Sequence, residues 1–473
     1  MSSAVQSTPP KTPARVYWSL VSLVLLVMAG GVNDTAINVD YPSIRHDFNI
    51  TLSDVSWVTM IYILTGAIVM GSTAYLLKQF TARSIARFSA LSFLIGGIIC
   101  ALAPSYGVLL VGRIIQGTNF GLASATLFFL IFTEIPKEKL GLMSGLASMA
   151  ISFSPAIGPS CGGIISTDFS WRGVFWACIP FPIIAFLLNE FFTRNTPEKT
   201  TTRFNYGLLI LLAMAFISTD CTATFIGNDN FNVFFWILLC CDILFFILFG
   251  YVNQKSKNPL FDLSLLRRPV VFYGLISYMI LNFINLGYSV SIPTYVQDVL
   301  HGSIDISGLV VLPGAVVGAL FAPLAGIWAD RHGYFHPIAL GTISLVIGAF
   351  LFPLCHACMS VTLIVICYLF ARIGWNITFA NILPDTRLQV AEHEVADLNA
   401  IGQMGAQFMA SFGAVLTTSL ISLSELHYHG SLYARVHYGA TIAYSMLAIV
   451  AVIVMVFIIC NFITQRQTQK HVA

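Results

Sequence analysis

The chain has 473 residues, of which 57% are hydrophobic and only 9% charged, with a net charge of +2. A soluble domain carries about 25% charged residues, so this composition excludes a water-soluble protein and leaves a polytopic membrane protein. No stretch interleaves basic and aromatic residues as a nucleic-acid surface would, and no nucleic-acid partner is expected.

In chain order, a polar, Pro-rich cytoplasmic tail (1–16) comes first. The apolar run Val16 to Val39 is too long for a signal-peptide core and is expected to stay as a span. A span needs about 20 mostly apolar residues. Fourteen segments qualify: 17–41, 54–77, 86–104, 107–133, 141–164, 174–192, 206–226, 231–252, 270–297, 307–329, 337–355, 359–384, 398–423 and 440–463. With the N-terminus inside, eighteen of the 23 Lys and Arg fall on the cytoplasmic side. Arg45, Arg172 and Arg435 fall outside, and Arg113 and Arg372 lie within spans. This bias places both termini in the cytoplasm. The spans leave no room for a soluble catalytic domain, so no enzyme is expected.

A weak internal repeat links Gly112-Arg113-Ile114 in the fourth span to Ala371-Arg372-Ile373 in the twelfth. An offset of eight spans fits two six-helix halves with two helices inserted between them, and related halves with a central site are typical of transporters. The expected organisation is a first half at 17–192, an inserted pair with linkers at 193–258, a second half at 259–464 and a cytoplasmic tail at 465–473.

The fifth span contains Ser-Phe-Ser-Pro-Ala-Ile-Gly-Pro-Ser-Cys-Gly-Gly, Ser152 to Gly163. Pro155 and Pro159 are expected to bend it. Gly158 and Gly162 form a small-xxx-small pair that lets another backbone approach closely. The core Gly158, Pro159, Ser160, Cys161, Gly162, Gly163 resembles the antiporter motif of helix five in the major facilitator superfamily. Gly326 to Gly333, with Asp330 and Arg331, resembles the superfamily's gating-loop motif. Asp330 would favour a helix N-terminus or an Arg partner and hold the cytoplasmic side shut. The equivalent first-half loop, Ala74 to Arg83, departs from the pattern: Lys78 stands where the acid belongs, which puts a lock on that side in doubt. Asp34 to Pro42, Trp171-Arg172-Gly173-Val174-Phe175 and Pro293 to Gln297 resemble signatures of fourteen-helix drug:proton antiporters.

The resemblance implies an all-α polytopic membrane protein of the major facilitator fold in the cell membrane, of the bacterial inner-membrane kind. It implies a secondary active multidrug exporter that exchanges inward protons for outward lipophilic or cationic compounds by alternating access. The alternative is a proton-coupled exporter of an endogenous metabolite, peptide or lipid with the same fold. Its partners would be protons, a small substrate and the bilayer, and it would act as a monomer. No Gly-Lys pair occurs, so ATP is not held by a phosphate loop. No cofactor or metal is expected. The ten cysteines are scattered, and Cys355 with Cys358 is a weak metal or redox signal.

An acid or Arg inside a span costs about 2.5–3.5 kcal/mol on insertion scales and is a functional candidate by default. Asp34 is the leading candidate for proton coupling, the other reading being an acid paired with Arg113. By the resemblance Arg113 couples proton movement to the site; otherwise it bonds backbone carbonyls. Asn38, one turn on, would share Asp34's face and bond substrate or acid. Asp40 sits about 240° from Asp34, as a mouth residue attracting cations or a solvated helix-end charge. Asp220 and Asp242 would pair with polar neighbours or line a side opening. Arg372 is a repeat position, structural or functional. Tyr62, Phe153, Phe283, Tyr288 and Trp375 are candidate linings of a substrate pocket, because flat cations favour aromatic faces; the other reading is that they face lipid or pack. Glu425, His427, His429 and His437 crowd the last outer loop, as a solvated loop or, alternatively, a metal or pH sensor.

Overall fold

The structure, a computed structural model, describes residues 13–50, 52–193, 205–227, 231–302, 304–427 and 432–472. His429 lies outside the described residues, as do Gly163 beyond its backbone and the side chains of Pro155, Pro159, Glu425 and His427.

In hydrocarbon every backbone group must find its partner within the protein, so apolar runs of this length fold as helices. The described chain forms α1 (Ala14–Ala36), α2 (Tyr41–Phe48), α3 (Leu52–Gln79), α4 (Ala82–Ala101), α5 (Tyr106–Glu134), α6 (Leu140–Cys178) and α7 (Pro180–Phe192). The inserted pair is α8 (Tyr206–Gly227) and α9 (Val233–Lys255). The second half comprises α10 (Pro269–Asp298), α11 (Ile304–His332), α12 (Phe335–Leu354), α13 (Val361–Arg387), α14 (Val395–His427) and α15 (Leu432–Val472). Polar residues close the helix starts: the Thr81, Asn232 and Ser360 side chains accept from Ser84, Phe235 and Leu363 N–H. Gly333, at φ 85°, ends α11 in the left-handed region that favours glycine.

Thirteen helices among the described residues are long and apolar enough to cross a membrane. The first part of α6, before Ser170, carries the fifth expected span and makes fourteen. The halves meet along two seams, α6 with α11 and α3 with α14. The inserted α8 packs on α14 and α3. Its partner α9 turns most of its surface outward, with Phe234, Trp236 and Ile237 exposed to lipid.

Three boundaries differ from expectation. Span one is not one helix to residue 41: α1 tightens into a 3₁₀ turn at Ile37–Asp40 and α2 follows. The dihedral break in α6 falls at Ser170 (φ 59°, ψ 175°), and the helix runs on through Pro155 and Pro159. The last helix continues to Val472, so the expected tail at 465–473 is mostly helical.

Candidate functional site

Arg113 on α5 is fully buried. Its guanidinium donates to Asp34 Oδ1 at 2.8 Å, Asn33 Oδ1 at 2.8 Å, Gln116 Oε1 at 3.2 Å and the Val58 carbonyl at 2.8 Å. It also lies 4.4 Å from the Tyr62 ring centroid. One cation thus ties α1, α3 and α5 together. Asp34 keeps 15% side-chain exposure beside its sealed partner, so the carboxylate is the reachable member of the pair. Both expected relationships of Arg113, to the acid and to a backbone carbonyl, are present at once. Taking two charges out of water is repaid only when geometry is good and the remaining groups are bonded, and this Arg has four acceptors. Asp34 lies near the outer end of α1, so the pair sits in the outer half of the membrane. Gln116, one turn from Arg113, and Asn33, beside Asp34, were not singled out in the sequence. Their spacing to charged residues was the available signal.

The small-xxx-small pair packs against this site. A Cβ at Gly158 would overlap the Thr35 hydroxyl, and one at Gly162 would overlap the Ala36 carbonyl. The motif on α6 therefore presses on the α1 turn that carries Asp34. Gly117 and Gly121 serve packing in the same way, against the Tyr62 and Gly66 carbonyls of α3.

Other expected site residues scatter. Asn38 is exposed and accepts from Thr59 at 2.6 Å, because the 3₁₀ turn rotates it toward α3. Asp40 is not a solvated charge: it is buried and accepts from Ser166 of α6 at 2.5 Å. Tyr288 stacks on Phe352 and Tyr444 inside the second half. Phe283 is buried against Phe412. Trp375 donates to the Leu281 carbonyl at 2.8 Å and stacks on Phe379. Asp220 accepts from Ser411 of α14 at 2.6 Å, and Asp242 accepts from Thr219 at 2.6 Å, so each has a polar neighbour. His437 meets Tyr295 at 2.7 Å and stacks on His356.

Phe153 does line a space. A cavity of about 520 Å³ lies between α1, α5, α6 and α11, and its wall is almost wholly apolar. Met28, Met143 and Met149 contribute to it, with Leu20, Leu127 and Leu320. Leu320 is 56% exposed, so the wall reaches the lipid-facing surface. Flexible thioethers let one apolar wall fit differently shaped molecules.

The cytoplasmic ends of the halves are latched twice. Asp330, at the end of α11, accepts from Gly141 N–H at 2.7 Å and Leu142 N–H at 2.9 Å, the free amides of the first turn of α6. Arg331 and Gly333 are exposed beside it. Gly326 and Gly141 face each other so closely that a Cβ on either would meet the other's backbone. On the pseudo-symmetric seam, the doubtful lock exists with reversed charge: Lys78 Nζ of α3 lies 2.5 Å from Asp397 Oδ2 in the first turn of α14. Nearer the midplane, Ser152 donates to Asn376 Oδ1 at 2.9 Å, and Asn399 donates to the Ala125 carbonyl at 2.6 Å.

At the outer end, Trp171 Nε1 and Arg172 Nη1 donate to Asp47 Oδ2 at 2.9 and 3.0 Å. The Trp171 hydrogen bond, aided by Arg172 and His46 and opposed by partial burial, holds the Asp47 carboxyl below its ordinary range. The Trp-Arg motif is thus a clamp that fixes α2 beside the break at Ser170.

Two helical halves that meet at latched cytoplasmic seams, with an Arg–Asp ion pair inside one of them, define a polytopic membrane transporter rather than an enzyme. The profile of the Major Facilitator Superfamily matches residues 23–414, and the chain belongs to that superfamily. It is 27% identical over 448 residues to the uncharacterized MFS-type transporter YcnB of Bacillus subtilis, covering 91% of this chain and 93% of that one. It is 26% identical over 411 residues to the lincomycin resistance protein LmrB of Listeria innocua, covering 86% and 87%. To the multidrug resistance protein B homolog of Mycobacterium tuberculosis it is 23% identical over 412 residues, covering 85% and 76%. Among solved structures, the human organic anion transporter MFSD10 superposes with a TM-score of 0.65 at 13% identity, covering 95% of this chain and all of that one. The proton:xylose symporter XylE does so at 0.60 and 17%, covering 93% and 95%. The chain is a multi-pass protein of the cell membrane.

Proposed function

We propose that the protein is a proton-coupled exporter of small lipophilic compounds. The observation that carries this reading is the Asp34–Arg113 pair: a carboxylate with residual exposure, 2.8 Å from a fully buried cation whose other acceptors are neutral. Protonating Asp34 would remove the only negative partner of Arg113 among the described residues. The cation would then sit among amide and carbonyl oxygens alone, an arrangement stable only if the helices around it rearrange. Proton uptake and helix movement are thereby one event. The inward electrical gradient supplies about 2.3 kcal/mol per charge per 100 mV.

The apolar, methionine-lined cavity supports lipophilic cargo, and two curated relatives carry drug-resistance names. A cationic cargo would need a carboxylate free of Arg113, and Asp34 is not one. The test is pH-gradient-driven uptake of a neutral lipophilic dye into everted vesicles. We expect Asp34→Asn to abolish the response to the gradient and Asp34→Glu to restore part of it. Unchanged gradient-driven transport in a correctly inserted Asp34→Asn protein would remove Asp34 from the coupling.

A further inference from the structure

The second half contains the counterpart of Arg113, and among the described residues it has no acidic partner. Arg372 of α13 is 7% exposed. Its Nε and Nη1 are buried with no hydrogen-bond partner, and among the described residues the guanidinium makes no ion pair. It lies over the Trp375 ring, 4.5 Å from the centroid. The sequence explains the lack of an acidic partner. Helices α12 and α15 contain no acid, and α10, α11, α13 and α14 carry acids only toward their ends; Asp385 of α13 lies about 20 Å along the helix from Arg372 and accepts from Gln465. Asp330 and Asp397 of those ends are engaged in the latches. Of the acids in the first half and the inserted pair, Asp34 is paired with Arg113, and Asp40, Asp220 and Asp242 accept from Ser166, Ser411 and Thr219 on neighbouring helices. On α6, Asp168 lies about 24 Å outward of Ser152 at the helical rise of about 1.5 Å per residue.

Residues 372, 375, 376 and 379 share one face of α13. Trp375 and Phe379 on that face pack on α10 of their own half, while Asn376 accepts from Ser152 of the opposite half. Arg372 lies one turn outward of this bond between the halves. A buried cation with donors unmet is costly and is a place where a ligand can supply what the protein omits.

We propose that Arg372 is the recognition point for an anionic group of the transported compound, so that the cargo is a lipophilic organic carboxylate. The inference rests on the transporter reading for its cargo, and binding can be read separately from transport. A guanidinium pairs a carboxylate through two parallel donors, whereas the methyl ester of the same compound lacks the charge. Naphthoxyacetate and its methyl ester are a suitable matched pair of probes.

Two measurements decide it: thermal stabilisation of the purified protein by each probe, and pH-gradient-driven uptake of each into everted vesicles, with a neutral dye alongside. We expect the acid to stabilise the wild type and to bind at least about tenfold better than the ester, the scale of a charge-assisted hydrogen bond. Arg372→Gln should lose that preference while keeping neutral-dye transport, and Arg372→Lys should keep part of it. Wild type that carries the dye yet does not distinguish acid from ester overturns the anion site and leaves the exporter standing. Acid binding lost in Arg372→Gln without gradient-driven transport of any probe keeps the site and overturns proton-coupled export. If Arg372→Gln does not fold, the acid-to-ester preference of the wild type decides alone.

Discussion

The two cytoplasmic latches occupy equivalent places in the two halves and work by different physics. On the α6–α11 seam an acid, Asp330, holds backbone amides. On the α3–α14 seam a base, Lys78, holds a side-chain acid. Backbone donors at a helix start are placed by the helix itself, so the first latch is pre-organised on one side and has a single side chain to order. The second must order two side chains, one of them 41% exposed, and water screens it. Equivalent positions therefore need not share charge sign; what both seams share is closure of the same end.

Removing the stronger latch is the severest test of this contrast. Asp330→Ala deletes two charge-assisted hydrogen bonds, together worth about 3 kcal/mol or more. Amide hydrogen exchange at Gly141 and Leu142 should accelerate by about a hundredfold, and equal exchange in mutant and wild type would show that the amides are held by something else. Lys78→Ala should cost less than about 1 kcal/mol, with exchange in the first turn of α14 rising at most severalfold and less in high salt. Lys78→Asp combined with Asp397→Lys should restore it. A salt-insensitive loss as large as that of Asp330→Ala would erase the distinction between the seams. The smallest effect is expected at the outer clamp. Because the Asp47 carboxyl is held below its ordinary range, its contribution is present above the unfolded carboxyl pKa of about 3.9 and is lost only as pH falls through the lower folded value. Exchange protection of α2 should therefore be level from pH 7 to pH 5 and decline only in stronger acid; a decline near neutral pH would mean another group controls the clamp.

Much of this was legible in the chain. Apolar length and the placement of Lys and Arg reveal the spans. The resemblance of Gly326 to Gly333 to a gating loop anticipated Asp330 at a helix start, and Asp34 was recognisable as an acid in a span with Arg113 as its possible partner. Local geometry hid other features. Asn38 was read on a continuous helix, but the 3₁₀ turn at Ile37–Asp40 advances about 120° per residue instead of 100°. It thereby sends Asn38 to Thr59 and Asp40 into the protein. Lys78 looked like a defect because its partner lies 319 residues away, beyond any periodic pattern. Tyr288 was plausible as a pocket lining because an aromatic facing its own half and one facing the centre have the same sequence signature. The break in α6 was sought at prolines, yet in a membrane a proline is tolerated inside a helix, and the turn came at Ser170, just ahead of the clamp.

The glycine contact between α6 and α11 bears on how quickly the seam can part. Gly141 meets Gly326, and Gly145 meets Ala322, so two nearly bare backbones lie against each other there. Interlocked side chains must change rotamer before they slide free, which adds friction to any motion. Here there is little to disengage. The energy of closure resides in the bonds to Asp330, while the surfaces beneath them separate smoothly, so strength of holding and speed of release are set by different residues and can be tuned independently.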